Sequence, residues 1–330
     1  MPKGWVSAYR IYLLFAVVFV LAAVFVPGFL TLGNMVTLLK AASTHLPAAI
    51  GFTLVLVIGQ LDLSFAACMT LAAMITVGVQ PNHGWGGGLA AAMACGLVIG
   101  LANGVLVAKA KVSSFIVTLG TLTVVAGLVN IYAGGGSLNV DDFRLTDWLD
   151  APSILAPPIV LAVVATVFFE LLLHRTRWGR NLLLTGGNPK TAWHAGLKTD
   201  RLIIGAFVLS GMLAALGGAL VAMKDSGASP NLGNPSLMLV ITAVIVGGTS
   251  MKGGKGSVVG SAVAVLMMTS IGNALALLGR GSESQLIVSG LVLAVVVLYD
   301  AFVENRREML KGIRADLMPR SPAPGPKRSA

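Results

Sequence analysis

Charge is missing from long stretches of this chain. No Asp, Glu, Lys or Arg occurs between Arg10 and Lys40, between Asp62 and Lys109, between Lys111 and Asp141, or between Arg201 and Lys224. A helix that crosses the hydrocarbon core of a bilayer needs roughly 20 predominantly apolar residues, and these runs meet that requirement repeatedly. With 56% hydrophobic and 11% charged residues and a mean hydropathy of +0.87, the composition lies outside the range of soluble globular domains. The reading is an all-α, polytopic transmembrane bundle.

Charged or Pro/Gly-rich breaks divide the chain into about ten spans, at 11–29, 35–58, 62–79, 87–108, 114–133, 153–173, 202–223, 236–250, 255–278 and 284–302. The second, third and eighth are the least regular, because Gly59-Gln60 and the short stretch after Pro235 can break a span or make it re-enter. The N-terminal run continues to Val26 without a small-residue cleavage site, so it reads as a retained first span rather than a signal peptide. Residues 1–10 then form a cytoplasmic N-terminus, 11–302 the membrane domain, and 303–330 a basic cytoplasmic tail, disordered from about 319 where PRSPAPGPKRSA lacks apolar periodicity.

Positive charge sets the orientation, since cytoplasmic loops collect Lys and Arg. With both termini inside, only Lys40, Arg144, Lys224 and Arg280 of the 23 basic residues fall elsewhere. The net charge of +10 therefore reflects topology and contact with anionic lipid, not nucleic-acid binding. Cys68 and Cys95 lie inside spans and read as packing residues, and His45, His83, His174 and His194 show no metal-ligand spacing.

The stretch GGTSMKGGKGS (247–257) superficially suggests a phosphate-binding loop. Its spacing excludes that: Gly248 lies one residue too far from Gly254-Lys255, and Gly256 intervenes before Ser257. The spans also lack a plausible coupling carboxylate, because Glu170, the nearest case, precedes His174-Arg175 by one turn and reads as a surface residue. No catalytic residues and no energy source are visible in the chain.

The longest cytoplasmic interruption, about residues 174–201, has internal design. After Gly187, Asn188 is an N-cap, Pro189 a first helical residue and Gly196 a stop, bracketing one short helix. Ala192, Trp193 and Leu197 give it an apolar side suited to a groove in a soluble partner, whereas Arg175, Arg177, Trp178 and Arg180 suit an interfacial anchor on membrane lipid. Glycines at 96, 100 and 104 form a smooth stripe for close helix packing, and Gly256 and Gly260 repeat the device; neither distinguishes contact within a chain from contact between chains. Among polar residues in apolar surroundings, Asp62, Asn103, Thr118, Thr121, Asn130 and Asn273 are candidates to line a path for a hydroxylated solute. Each can equally pair with a neighbouring backbone, and for Asp62 helix capping is the leading alternative.

Four segments, GQLDLSFAA from Gly59, GLANGVLVAKAKVSSFIVTLGTLTVVAGL from Gly100, GRNLLLTGGNPKTAWHAGL from Gly179 and PNLGNPSLMLVITAVIVGGTSMKGGKGSVVGS from Pro230, together resemble the ribose-type sugar permeases of bacterial ABC importers. The resemblance implies a permease of the bacterial inner membrane that works as a pair, with a second copy or a paralogue. It further implies ATP-binding subunits beneath, which handle ATP and magnesium so that this chain holds no cofactor, and a periplasmic sugar-binding protein above. It assigns the loop after Gly179 to ATPase contact. The chain departs from the common pattern at Leu237 and Leu239 and at Gly59-Gln60-Leu61-Asp62, which leaves pentoses, hexoses, deoxysugars, polyols and sugar-like signals all compatible. The rival classes are a self-sufficient carrier or facilitative channel and, more weakly, a membrane-embedded enzyme.

Overall fold

The structure is a computed structural model that describes residues 5–144, 153–281, 283–298 and 302, with side chains from residue 11 onward. The expected tail, 303–330, and the N-terminal residues 1–4 lie outside the described residues. Helices α1 (Trp5–Phe25), α2 (Leu32–Val57), α3 (Phe65–Ala108) and α4 (Ser114–Ala133) are followed by a two-residue strand β1 (Leu138–Asn139). Then come α5 (Pro157–Arg175), α6 (Arg177–Gly187), α7 (Pro189–His194), α8 (Thr199–Lys224), strand β2 (Gly227–Ala228), α9 (Gly233–Val246) and α10 (Val258–Leu277). A last apolar helix, α11, spans Glu283–Leu298. Six helices are long and apolar enough to cross a membrane.

Helix α3 has 44 residues, about 66 Å if it were straight and twice the hydrocarbon thickness. It is two antiparallel arms. Gly84 takes φ 65, ψ 178 three residues after Pro81, and the chain folds back so that Asn103 Nδ2 donates to Ser64 Oγ at 2.8 Å. These arms correspond to the expected third and fourth spans. Helix α9, by contrast, has 14 residues, about 21 Å, and stops at Gly247.

Helix α2 is central, with 89% of its most apolar window buried, whereas α4 and α5 are only 22% and 28% buried and present broad apolar faces. Helix α8 packs between the α3 arms and α2. A Cβ added to Gly100 would lie 2.9 Å from the Val208 Cα, and one on Gly104 2.9 Å from the Ile204 Cα. From the other side, a Cβ on Gly211 would meet Gly100 N at 3.0 Å. Backbone-to-backbone approach of this kind is what small residues permit where lipid offers no hydrophobic drive between helices. The 96/100/104 stripe is therefore occupied within the chain. Gly260 likewise faces the Gly247 carbonyl, and a Cβ on Gly256 would sit 2.5 Å from Val57 Cγ2.

The sequence expectation contained no strand. The β1–β2 ribbon pairs Leu138 with Ala228 and Asn139 with Gly227, tying the segment after α4 across the end of α8. Asp141 N donating to Gln80 Oε1 at 3.3 Å and Trp85 Nε1 donating to the Asp142 carbonyl at 3.2 Å fasten that segment to the tip of the α3 hairpin.

Candidate functional site

The two ends of the bundle differ in chemistry. At one end, α5 stops at Arg175 and Thr176 caps α6, its Oγ1 accepting from Gly179 N at 3.2 Å and donating to the Leu172 carbonyl at 2.6 Å. Helix α6 carries Arg177, Trp178 and Arg180; the sequence reading treated these residues as an anchor without recognising an 11-residue helix. Asn188 then caps α7, with Oδ1 accepting from Thr191 N at 3.0 Å, and Pro189 follows as the first helical residue. Gly196, at φ +79, ends the helix. The short helix expected between Asn188 and Gly196 is thus present. Ala192 turns inward, while Trp193 is 65% exposed and lies edge-on to His194.

Directly behind α7, three turns meet at backbone distance. A Cβ on Gly186 would lie 2.8 Å from Gly254 N and 2.9 Å from the Ile58 Cα, and one on Gly253 2.7 Å from the Gly59 Cα. Gly254 N donates to the Val57 carbonyl at 2.8 Å. Gly59, Gly253 and Gly254 all have positive φ, which glycine adopts without steric cost. The stretch GGTSMKGGKGS is therefore a connection between α9 and α10, stapled beneath the end of α2 and the end of α6. It follows a helix, not the buried strand that a phosphate loop requires.

Glu170 corrects a sequence expectation. Instead of lying at the surface, its Oε2 accepts from Val258 N at 2.7 Å and Val259 N at 3.1 Å, capping α10. His174 Nδ1 lies 3.1 Å from Oε1. The first turn of a helix leaves N–H groups unsatisfied, and an anion placed there is favourable. Sequence distance hid the partnership, since 88 residues separate the carboxylate from its donor.

Four of the six candidate path residues are gathered into one bonded patch. Asp62 Oδ1 accepts from Ser64 N at 3.0 Å and Ser64 Oγ at 2.6 Å, and Oδ2 accepts from Ser210 Oγ at 2.8 Å. Ser64 Oγ accepts from Asn103 Nδ2, whose amide oxygen accepts from Thr121 Oγ1 at 2.6 Å. Thr118 Oγ1 donates to the Ser114 carbonyl at 2.8 Å, with the Leu61 carbonyl at 3.3 Å. The patch ties both α3 arms, α4 and α8 together. Its residues line neither of the cavities at the other end of the bundle. Asn130 is exposed and bonds its own helix at the Ala126 carbonyl.

That other end holds two adjoining cavities, of about 250 and 420 Å3, between α2, α9, α10, α11 and the β1–β2 ribbon. They share Ala41, His45, Pro235 and Ser236 in their walls, with His45 Nδ1 3.4 Å from Ser236 Oγ. Of the six candidates only Asn273 lines a cavity, and it pairs reciprocally with Asn34 through two 2.9 Å bonds. Sequence reasoning passed over His45, Ser236, Thr269 and Gln285. The Thr44-His45 doublet within α2 was the available signal, and it was weighed only for metal binding. The described residues contain no group of three or more His, Cys, Asp or Glu able to hold a metal.

Comparison with known proteins gives this geometry a context. Residues 34–297 match the family described as "Branched-chain amino acid transport system / permease component". The chain is 31% identical over 314 residues to the ribose import permease protein RbsC of Escherichia coli (strain K12), covering 93% of this chain and 96% of that one. It is 34% identical over 305 residues to the L-arabinose transport system permease protein AraH of the same organism, covering 91% and 92%. To the ribose import permease protein RbsC of Bacillus subtilis (strain 168) it is 34% identical over 301 residues, covering 85% and 88%. No solved structure matches significantly. A match across 34–297 and identities above 30% over nearly the whole chain establish that the protein belongs to the transport-system permease family that includes the ribose and L-arabinose import permeases.

Proposed function

We propose that the protein is the membrane-spanning permease subunit of an inner-membrane ABC importer for a monosaccharide or related polyol. The observation that carries this reading is α7: a capped helix with Trp193 65% exposed, seated against a glycine junction that contacts the ends of α2 and α6 and the α9–α10 turn. An exposed indole on a short rigid helix suits docking into a groove of a soluble subunit. Movement imposed there reaches helices that also wall the cavities at the opposite end, which is the coupling that alternating access needs. The ATPase supplies ATP and magnesium chemistry, a binding protein delivers the solute, and this chain performs no covalent step. About ten spans with both termini cytoplasmic fit the charge distribution, with the two α3 arms and the short α9 counted among them. A second permease copy completes the assembly.

Within this scheme Asn273 lines the path. The bonded patch around Asp62, Asn103, Thr118 and Thr121 serves as a fixed brace, because its polar atoms are already paired and a solute would have to displace good hydrogen bonds. Mass spectrometry of what co-purifies from native membrane in mild detergent tests the reading. An ATP-binding subunit at equal stoichiometry is expected. Sugar accumulation by this chain alone in proteoliposomes would replace the scheme with a self-sufficient carrier.

A further inference from the structure

From the smaller cavity we infer that each single chain contains a binding site for a neutral polyhydroxylated solute, built by α2, α9, α10 and α11. The inference rests on the importer reading above and adds to it a place and a ligand chemistry. The walls carry Thr37, His45, Ser236, Thr269, Asn273 and Gln285, and no Asp, Glu, Lys or Arg. Alternating with these are Leu38, Leu239, Met268 and Leu286. A sugar has this same duality, with hydroxyls around its rim and C–H groups on its faces. Ligand sites of this kind are mostly apolar with a few convergent polar groups.

Thr269 supplies the second, independent observation. It is 8% exposed, lines the cavity, and its Oγ1 has no hydrogen-bond partner among the described residues. Other serine and threonine residues of α10 bond within the helix: Ser270 Oγ donates to the Leu266 carbonyl at 2.7 Å and Ser261 Oγ to the Ser257 carbonyl at 3.1 Å. A buried hydroxyl left unpaired costs stability unless something occupies its bonding position. A ligand hydroxyl is such a group. A free amino acid is a poor occupant, because its ammonium and carboxylate would be desolvated beside uncharged groups. The larger cavity, lined by Asn139, Lys224 and Asp225, adjoins at His45–Ser236 and forms the approach; there Lys224 and Asp225 pair with each other.

The experiment uses the full chain in lipid nanodiscs with Ala41→Cys as reporter in the shared wall, alkylated by a small thiol reagent and read by peptide-resolved mass spectrometry so that Cys68 and Cys95 are counted separately. D-ribose, L-arabinose and D-glucose are the probes, with L-leucine as the charged comparison. At least one sugar is expected to protect the reporter, and Thr269→Val, which keeps the shape and removes the hydroxyl, is expected to weaken that protection about three- to tenfold. Ser236→Ala is the second variant, with a smaller loss of the same sign expected, should Thr269→Val impair insertion. Undiminished protection in both variants overturns the site. Protection by none of the probes, while vesicles holding the chain with its ATPase and binding protein still take up sugar, also overturns the site and leaves the importer reading standing. Protection by leucine alone overturns the ligand chemistry and the sugar reading together.

Discussion

Replacing Glu170 by alanine removes the acceptor for two backbone donors at the start of α10, Val258 N at 2.7 Å and Val259 N at 3.1 Å. Hydrogen bonds to a charged partner contribute about 1.5–3 kcal/mol each. The side chain is 27% exposed, so water can take over part of the role, and Ser257 Oγ already accepts from Gly260 N at 3.0 Å. Discounted for that access, Glu170→Ala should destabilise by about 2–4 kcal/mol. Glu170→Gln keeps an acceptor oxygen and loses only charge, which at a helix N-terminus amounts to about 1 kcal/mol. His174→Ala, removing an exposed partner, should cost less than about 1 kcal/mol. The measurement is denaturant titration of the purified variants in mixed micelles. Equal losses for Gln and Ala, or losses below about 0.5 kcal/mol for both, would refute the capping role and with it the tie between the end of α5 and the start of α10.

Three further outcomes follow from particular contacts. Gly100→Leu should abolish a monodisperse peak in size exclusion, because even a Cβ would lie 2.9 Å from the Val208 Cα, whereas Gly120→Ala, where a Cβ meets nothing within 4 Å, should leave it intact. Trp193→Ala, and Gly196→Pro at a residue with φ +79, should lower sugar-stimulated ATP hydrolysis in the assembled transporter while membrane insertion stays normal; unchanged hydrolysis in both would exclude α7 from coupling. Asn103→Leu strands Thr121 Oγ1 and Ser64 Oγ and should destabilise by about 2–4 kcal/mol in the same micelle titration, while Asn130→Leu, at an exposed position bonded only within its helix, should change stability little.

Much of this protein is written in local sequence. Apolar runs of membrane length and the placement of Lys and Arg describe a helical membrane protein because hydrocarbon thickness and backbone satisfaction leave few alternatives. The Asn188–Gly196 helix was legible because its cap, its first-turn proline and its stop all act within eight residues of one another. The glycine stripe announced a close approach, since period and residue size are local properties. Which helix approaches is not local: only the folded chain sets Gly96, Gly100 and Gly104 against α8. Long-range pairing decided everything else. Glu170 finds its donors 88 residues away, Ser210 reaches Asp62 across 148, and Thr53 meets Ser261 across 208. A polar residue in an apolar span advertises that it needs a partner, but the sequence cannot say whether that partner is another helix or a solute. Tertiary structure answered that question differently for Asn103, whose bonds are complete, and for Thr269, whose hydroxyl is left facing a cavity.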